Sequence, residues 1–185
     1  MQHKILLVNL ILCGACSAAP ACTSDGAFGI SFGSKPPAGA QLEEEGNVST
    51  WYVVTPPEPD PNFDLFQIRV SNATSEVLEV VATKTITRAP ALTEPPLDPE
   101  RRKQGEERSK AFALQYIAQL PPQMQSRVAL EKYSSDRWRA SVSEDVVMGI
   151  RAGFAWDVTV SCKDTKREWA LARKAMPELF QGKSK

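Results

Sequence analysis

Histidine is almost missing from this sequence of 185 residues, in which His3 is the only one. His3 lies in the N-terminal segment that has the layout of a signal peptide, so we expect the mature chain to have no histidine. Such a chain has no imidazole base for a Ser-His-Asp or Cys-His hydrolase and no imidazole ligand for zinc, copper or haem. The stretch GISFG at 29–33 matches the nucleophile elbow G-x-S-x-G, but two prolines at 36–37 follow where that elbow needs a helix. Motifs for phosphate-binding loops are absent as well. We therefore expect no catalytic, cofactor-binding or metal-binding residues and no cofactor.

An excess of charge of either sign is also missing, because 22 Lys and Arg balance 22 Asp and Glu. A balanced surface gives no general attraction to nucleic acid or anionic lipid. Long apolar runs are missing too, since the run from Ile5 to Cys13 is shorter than the ~20 residues that cross a bilayer. We expect no nucleic-acid partner and no transmembrane span after signal cleavage.

The first 21 residues have the layout of a secretory signal peptide. Lys4 precedes the apolar run, and the triplet Ala-Pro-Ala at 19–21 matches the A-x-A cleavage rule. Cleavage after Ala21 leaves residues 22–185 as the mature chain, which we expect in the periplasm or outside the cell. A retained N-terminal anchor is the alternative.

Only two of the four cysteines remain after such a cleavage, because Cys13 and Cys16 leave with the signal peptide. Exported compartments are oxidising, which favours a disulfide between Cys22 and Cys162. The chain-entropy model gives such a bridge, across a loop of about 140 residues, roughly 4–5 kcal/mol. In the alternative, Cys22 carries the lipid of a bacterial lipoprotein and anchors the chain in the envelope. The disulfide and the lipid exclude each other because both use the sulfur of Cys22.

Hydrophobic periodicity predicts an α+β fold in which strands are followed by a helix, twice. Residues 38–46 predict one or two helical turns, and the proline-rich residues 88–103 predict a surface linker. The last two predicted strands of the first half form a hairpin. The helix predicted in the first half spans about 105–120. The strands predicted in this half are 27–33, 50–55, 64–70 and 77–82.

The second half repeats this plan. Thr165 and Glu168 predict a capping box that opens a second helix, with Trp169 and Ala172 directed inward and an end near Pro177. We expect one α+β domain over 22–185, or two similar halves, 22–122 and 123–185, that share a core. The strands predicted in this half are 127–132, 138–143, 146–151 and 154–161.

Tryptophan beside arginine marks the candidate residues for partner binding. Trp138 stands between Arg137 and Arg139, and Trp51 is a second candidate. Trp and Arg are enriched at the hot spots of protein interfaces. The alternative places both tryptophans in the core or rim of strands.

Carboxylates are the remaining groups with catalytic potential, since an Asp or Glu pair performs glycoside hydrolysis. Asp157 is the only acid inside a strong strand pattern, and its simpler interpretation is a solvated strand face. Asn47 and Asn72 each begin an N-x-S/T triplet, the acceptor motif for N-glycosylation in hosts that perform it.

The stretch Gly29–Gly33 and the segment Val54–Phe63, followed by strands through about Ala82, resemble a group of small exported bacterial proteins of unknown function. Their shared outline is a signal peptide, a G-x-x-F/L-G start and a V-x-P-P-x-P-x-P-x-F segment. The resemblance is confined to the N-terminal half. It implies bacterial export and supplies no activity and no site residues.

We therefore expect an exported, non-enzymatic periplasmic binding protein whose partner is another protein of the envelope. It would be an inhibitor, an immunity-type protein or an envelope accessory factor. Two alternatives are a small carboxylate-dependent cell-wall hydrolase and a carrier that holds an apolar ligand between sheet and helices.

Overall fold

The structure is a computed structural model that describes residues 22–87, 98–120, 131–134, 137–139, 146–153 and 157–175. The fold is α+β and, as predicted, strands precede a helix twice. The helices among these residues are α1 (Pro99–Gln119) and α2 (Thr165–Ala175). The strands are β1 (Gly26–Ala27), β2 (Ile30–Ser31), β3 (Gln41–Glu45), β4 (Ser49–Val53), β5 (Leu65–Ser71), β6 (Val77–Thr85), β7 (Glu131–Ser134), β8 (Arg137–Arg139), β9 (Val146–Gly153) and β10 (Asp157–Asp164).

Eight of these strands form one antiparallel sheet in the order β3-β4-β5-β6-β10-β9-β8-β7. The predicted β5–β6 hairpin is confirmed. Val80 on β6 is the register partner of Cys162 on β10, so the sheet continues from the first half of the chain into the second. The short strands β1 and β2 pair with each other in a separate sheet.

The two faces of the large sheet differ because apolar and polar side chains alternate along the central strands. One face, here called the core face, carries the buried residues Ile68, Val80 and Val160. The opposite face, here called the outer face, carries Arg69 and Glu79, which are register partners. The predicted alternation of Val158 and Val160 with their polar neighbours is confirmed in β10.

An aromatic cluster fills the space between the core face and α1. Its five rings make edge and stacked contacts with centroids 5.1–6.5 Å apart. Each buried ring contributes roughly 1.5–3 kcal/mol relative to an exposed one. The members are Phe28, Phe63, Phe66, Phe112 and Tyr116.

The N-terminal segment closes the core at β1 and β2. The sequence predicts one strand over 27–33, but the chain reverses within it at Phe28 and Gly29, whose φ angles are +51° and +76°. Positive φ at both central residues is the requirement of a tight hairpin turn, and glycine adopts it at no steric cost. The turn directs Phe28 into the aromatic cluster. Ser31 lies in β2 and is exposed, with no helix after it.

The predicted disulfide between Cys22 and Cys162 is present. Their Cα atoms are 5.7 Å apart, and both residues are buried. The bond attaches Cys22 to β10, which lies within the large sheet. The sulfur of Cys22 is used in this bond, so it is not available for a thioether-linked lipid.

Two of the sequence predictions are wrong at β3 and α1. The helical turns predicted within 38–46 are replaced by β3, in which Gln41–Glu45 pair with β4. The three glutamates of this segment are compatible with a strand because β3 lies at the edge of the sheet, where charged side chains are tolerated. The linker predicted over 88–103 ends earlier, since α1 begins at Pro99. The side chain of Asp98 accepts a hydrogen bond from the backbone N–H of Arg101 at 2.9 Å, and proline suits the first helical position.

The remaining predicted elements overlap β7, β8, β9 and β10. Several parts of the predictions lie outside the described residues. These are the linker residues 88–97, the strand residues 127–130, 140–143 and 154–156, and the chain beyond Ala175. Neither helix of the described chain combines the length and the apolar character needed to cross a membrane.

Candidate functional site

The structure does not bring the predicted binding residues together. Trp51 lies on β4, while Arg137, Trp138 and Arg139 form β8. Four strands stand between β4 and β8 in the sheet. With strands spaced by ~4.8 Å, these two positions are roughly 24 Å apart. Trp51 and the group Arg137, Trp138 and Arg139 are therefore two separate positions in the sheet, and a binding role for either stays a prediction.

Trp51 instead belongs to a row of residues that crosses the outer face. On one side its register partner is Glu44 of β3, and on the other it is Arg69 of β5. Arg69 is in turn opposite Glu79 of β6. Side chains of directly opposed residues have Cβ atoms about 4.5–5.5 Å apart. We call Glu44, Trp51, Arg69 and Glu79 the outer-face row.

Arg69 is the centre of an ion-pair network. Its Nε lies 2.8 Å from Glu79 Oε2, and a terminal guanidinium nitrogen lies 2.6 Å from Glu168 Oε1 on α2. The side chains of Arg69 and Glu79 are only 16% and 13% exposed. Burial by itself lowers the pKa of Arg69, but the two carboxylates outweigh it and raise this pKa, so the guanidinium keeps its charge.

The same network includes a hydroxyl. Ser161 of β10 donates a hydrogen bond to Glu79 Oε1, while the other oxygen of this carboxylate accepts from Arg69. Both Glu79 and Glu168 are therefore engaged by neighbouring side chains. The network therefore connects β5, β6, β10 and α2 through the side chains of Arg69, Glu79, Ser161 and Glu168.

A second set of contacts fixes the first turn of α2. Arg167 donates to Glu76 at 3.1 Å, and its backbone N–H donates to Asp164 Oδ1 at 2.9 Å. Asp164 thus occupies the N-cap position that the sequence predicts for Thr165. A side chain at Gly33 would collide with the Arg167 guanidinium, so glycine permits this close approach.

Trp169 is 59% exposed, which corrects the prediction that it is directed inward. The physical reason is the ion pairing of the preceding residues. Arg167 binds Glu76 in the turn between β5 and β6, Glu168 binds Arg69 on β5, and each further helical residue rotates by about 100°. Trp169 therefore presents much of its ring to solvent next to the residue that binds Arg69.

Sequence reasoning missed Arg69. The alternation of β5 places this residue on the polar face, which is a usable signal. The alternation gives neither its cross-strand neighbours nor its contact with Glu168. Asp157, the acid singled out from the sequence, lies at the other end of β10 opposite Thr85, whereas Glu79 pairs with Lys163. Asp157 is therefore not part of the outer-face row.

Among the residues that the structure describes, no three or more His, Cys, Asp or Glu are grouped so that they could hold a metal ion. No protein-family model matches the chain, and no curated protein or solved structure shows significant similarity to it. Its function is therefore inferred from the fold and the outer-face row.

Proposed function

We propose that this chain is an exported, non-enzymatic binding protein that occupies another protein of the bacterial envelope, as an inhibitor, an immunity-type protein or an accessory factor. One observation carries the proposal. Trp51 lies beside Arg69 on the outer face, and the exposed Trp169 follows the residue that binds Arg69. Tryptophan and arginine are the residue types that dominate binding hot spots.

The scaffold beneath this surface supports a binding role. Ion pairs fix α2 on the sheet, and the disulfide fixes the N-terminal segment on β10. A surface that is already ordered loses less conformational entropy when a partner binds. The protein therefore presents Trp51 and Trp169 from elements that are held in place.

The charge beside Trp51 indicates the chemistry of the partner. Glu43, Glu44 and Glu45 form most of the edge strand β3, and all three are exposed. A partner with basic residues around an apolar centre complements this surface, and such complementarity accelerates association and gives specificity. A second copy of the chain would oppose glutamates to glutamates, which is unfavourable. The occupant that we propose is a different protein with a basic surface.

The two alternatives gain less support. The carboxylates Glu79 and Glu168 both bind Arg69, which does not favour their use as the acid and base of a hydrolase. The aromatic cluster occupies the space in which a carrier would hold an apolar ligand. Neither observation points to a substrate.

Affinity capture from the native envelope tests the proposal with two matched charge variants. Glu44→Lys reverses a charge in the outer-face row, while Leu114→Lys places a charge on the exposed side of α1, across the sheet from that row. We expect the same partner with wild-type protein and L114K, and at least about tenfold less of it with E44K, a difference of ~1.4 kcal/mol. Equal recovery with wild-type protein and E44K would overturn the proposal.

A further inference from the structure

Two N-x-S/T triplets lie in neighbouring turns of the sheet, and the proposed function uses neither. Asn47 begins the first, in the turn between β3 and β4, and Asn72 begins the second, between β5 and β6. The sequence does not distinguish them, since each has the required hydroxyl residue two positions later. The structure does.

Asn72 is a structural residue that ties the two turns together. Its Oδ1 accepts a hydrogen bond from the Thr50 hydroxyl at 2.7 Å, and its Nδ2 donates to the carbonyl of Gly46 at 2.7 Å. Its backbone N–H also donates to the carbonyl of Val48 at 3.0 Å. Thr50 is buried, so removal of the Asn72 amide from this position leaves its hydroxyl without a partner.

Asn47 lies at the tip of the other turn. The backbone N–H of Gly46 donates to the carbonyl of Ser49 at 3.1 Å, which closes a two-residue loop of Asn47 and Val48. Both loop residues are exposed, and Val48 retains 68% of its surface. Within the described part of the chain, the Asn47 side chain has no hydrogen-bond partner that would hold its amide.

We propose that Asn47 is an acceptor site for an N-linked glycan in the folded protein and that Asn72 is not. The co-substrate is an oligosaccharide carried on a lipid pyrophosphate. The Nδ2 of Asn47 forms a bond to the anomeric carbon of the sugar, and the bond from this carbon to the phosphate oxygen breaks. One amide proton passes to a base of the transferase, and the lipid pyrophosphate leaves.

The difference between the two sites follows from access to Nδ2. A transferase must draw the asparagine amide into its own active site. At Asn47 this breaks no side-chain hydrogen bond among the described residues, whereas at Asn72 it breaks the hydrogen bonds to Thr50 and Gly46. Local opening of that kind has a free-energy cost that reduces the reactive population. The inference does not depend on the proposed binding function.

Glycosylation of the folded, disulfide-bonded chain in vitro tests this inference. The probe is a purified oligosaccharyltransferase that requires only the N-x-S/T triplet, together with its lipid-pyrophosphate oligosaccharide. Peptides spanning 44–52 and 69–77 are treated in parallel and report the competence of each triplet without the fold. Occupancy of each asparagine is measured by peptide mass spectrometry.

We expect both peptides to be modified, whereas in the folded chain occupancy of Asn47 exceeds that of Asn72 by at least about tenfold. Asn47→Gln should reduce modification of the folded chain at least about tenfold, and Asn72→Gln should leave most of it. The inference is overturned if the 44–52 peptide is not modified, if folded Asn47 stays unmodified while that peptide reacts, or if the folded chain is modified equally at both sites.

Discussion

The carboxylate of Glu168 lies 2.6 Å from the guanidinium of Arg69, although the two residues are 99 positions apart in the chain. Because Arg69 also binds Glu79, this contact joins α2 to two strands of the outer face. Charge-assisted hydrogen bonds of this kind are stronger and more directional than those between neutral groups. The contact thus determines where α2 presents Trp169.

Substitution of Arg69 by methionine should destabilise the protein. Arg69→Met keeps a long side chain but leaves Glu79, which is 13% exposed, with an uncompensated charge. We expect a loss of about 1–3 kcal/mol in the free energy of unfolding, as measured by urea denaturation at neutral pH.

Lys84→Met provides the matched control for Arg69→Met. Lys84 pairs with Asp64 at 2.8 Å, but both side chains are substantially exposed. Exposed pairs of this kind contribute about 0–1 kcal/mol. Equal destabilisation by the two substitutions would contradict a special role for the network around Arg69.

Alkaline pH should destabilise the protein through Tyr116. Burial raises the pKa of its phenol, and the nearby negative charge of Asp60 raises it further. The stabilisation is fully present below the pKa of the unfolded phenol, about 10, and is lost as pH rises toward the higher folded value. The free energy of unfolding should therefore decrease above about pH 10 more steeply in wild-type protein than in Tyr116→Phe. Identical slopes in urea denaturation between pH 9 and 11 would show that Tyr116 does not contribute.

Removal of the disulfide should lower the free energy of unfolding by more than Arg69→Met does. The double variant Cys22→Ala/Cys162→Ala frees a loop whose ends are 140 residues apart. The chain-entropy model predicts a loss of roughly 4–5 kcal/mol, from which any strain in the native bond subtracts. Wild-type protein measured with reductant serves as the comparison, after mass spectrometry has verified that both thiols are free. An unchanged free energy of unfolding would contradict the structural role of the bond.

The intact mass of the protein from its native envelope tests export and the state of Cys22 together. We expect the mass of residues 22–185, increasing by two hydrogens on reduction. A mass that includes acyl chains would instead establish a lipid on Cys22, and a mass that includes residues 1–21 would contradict cleavage after Ala21.

Local patterns in the sequence predicted much of the fold. The alternation of apolar residues identified β5, β6 and β10, and the expectation of export to an oxidising compartment predicted the disulfide between Cys22 and Cys162. The helical turns predicted at 38–46 were wrong because pairing with β4 decides the conformation of an edge strand, and a local pattern contains no information on that pairing.

The candidate site was predicted only in part, because it depends on contacts between distant segments. Trp51 was identified from its residue type, whereas its register partner Arg69 was not. Helical periodicity directed Trp169 inward, whereas the ion pair of Glu168 determines the rotation of α2. The omission of Arg69 and the wrong orientation of Trp169 both arise where register or a long-range ion pair, and not a local pattern, determines the contact.

Site-specific photo-crosslinking in the native envelope tests the binding role of the outer face most directly. Trp51 is replaced by the photoreactive aromatic residue p-benzoylphenylalanine, and the same residue at Leu114, exposed on α1, provides the control. Irradiation should join the protein from position 51 to one other envelope protein, and position 114 should give no such product. Absence of a product from position 51, or the same product from both positions, would contradict a binding surface at Trp51.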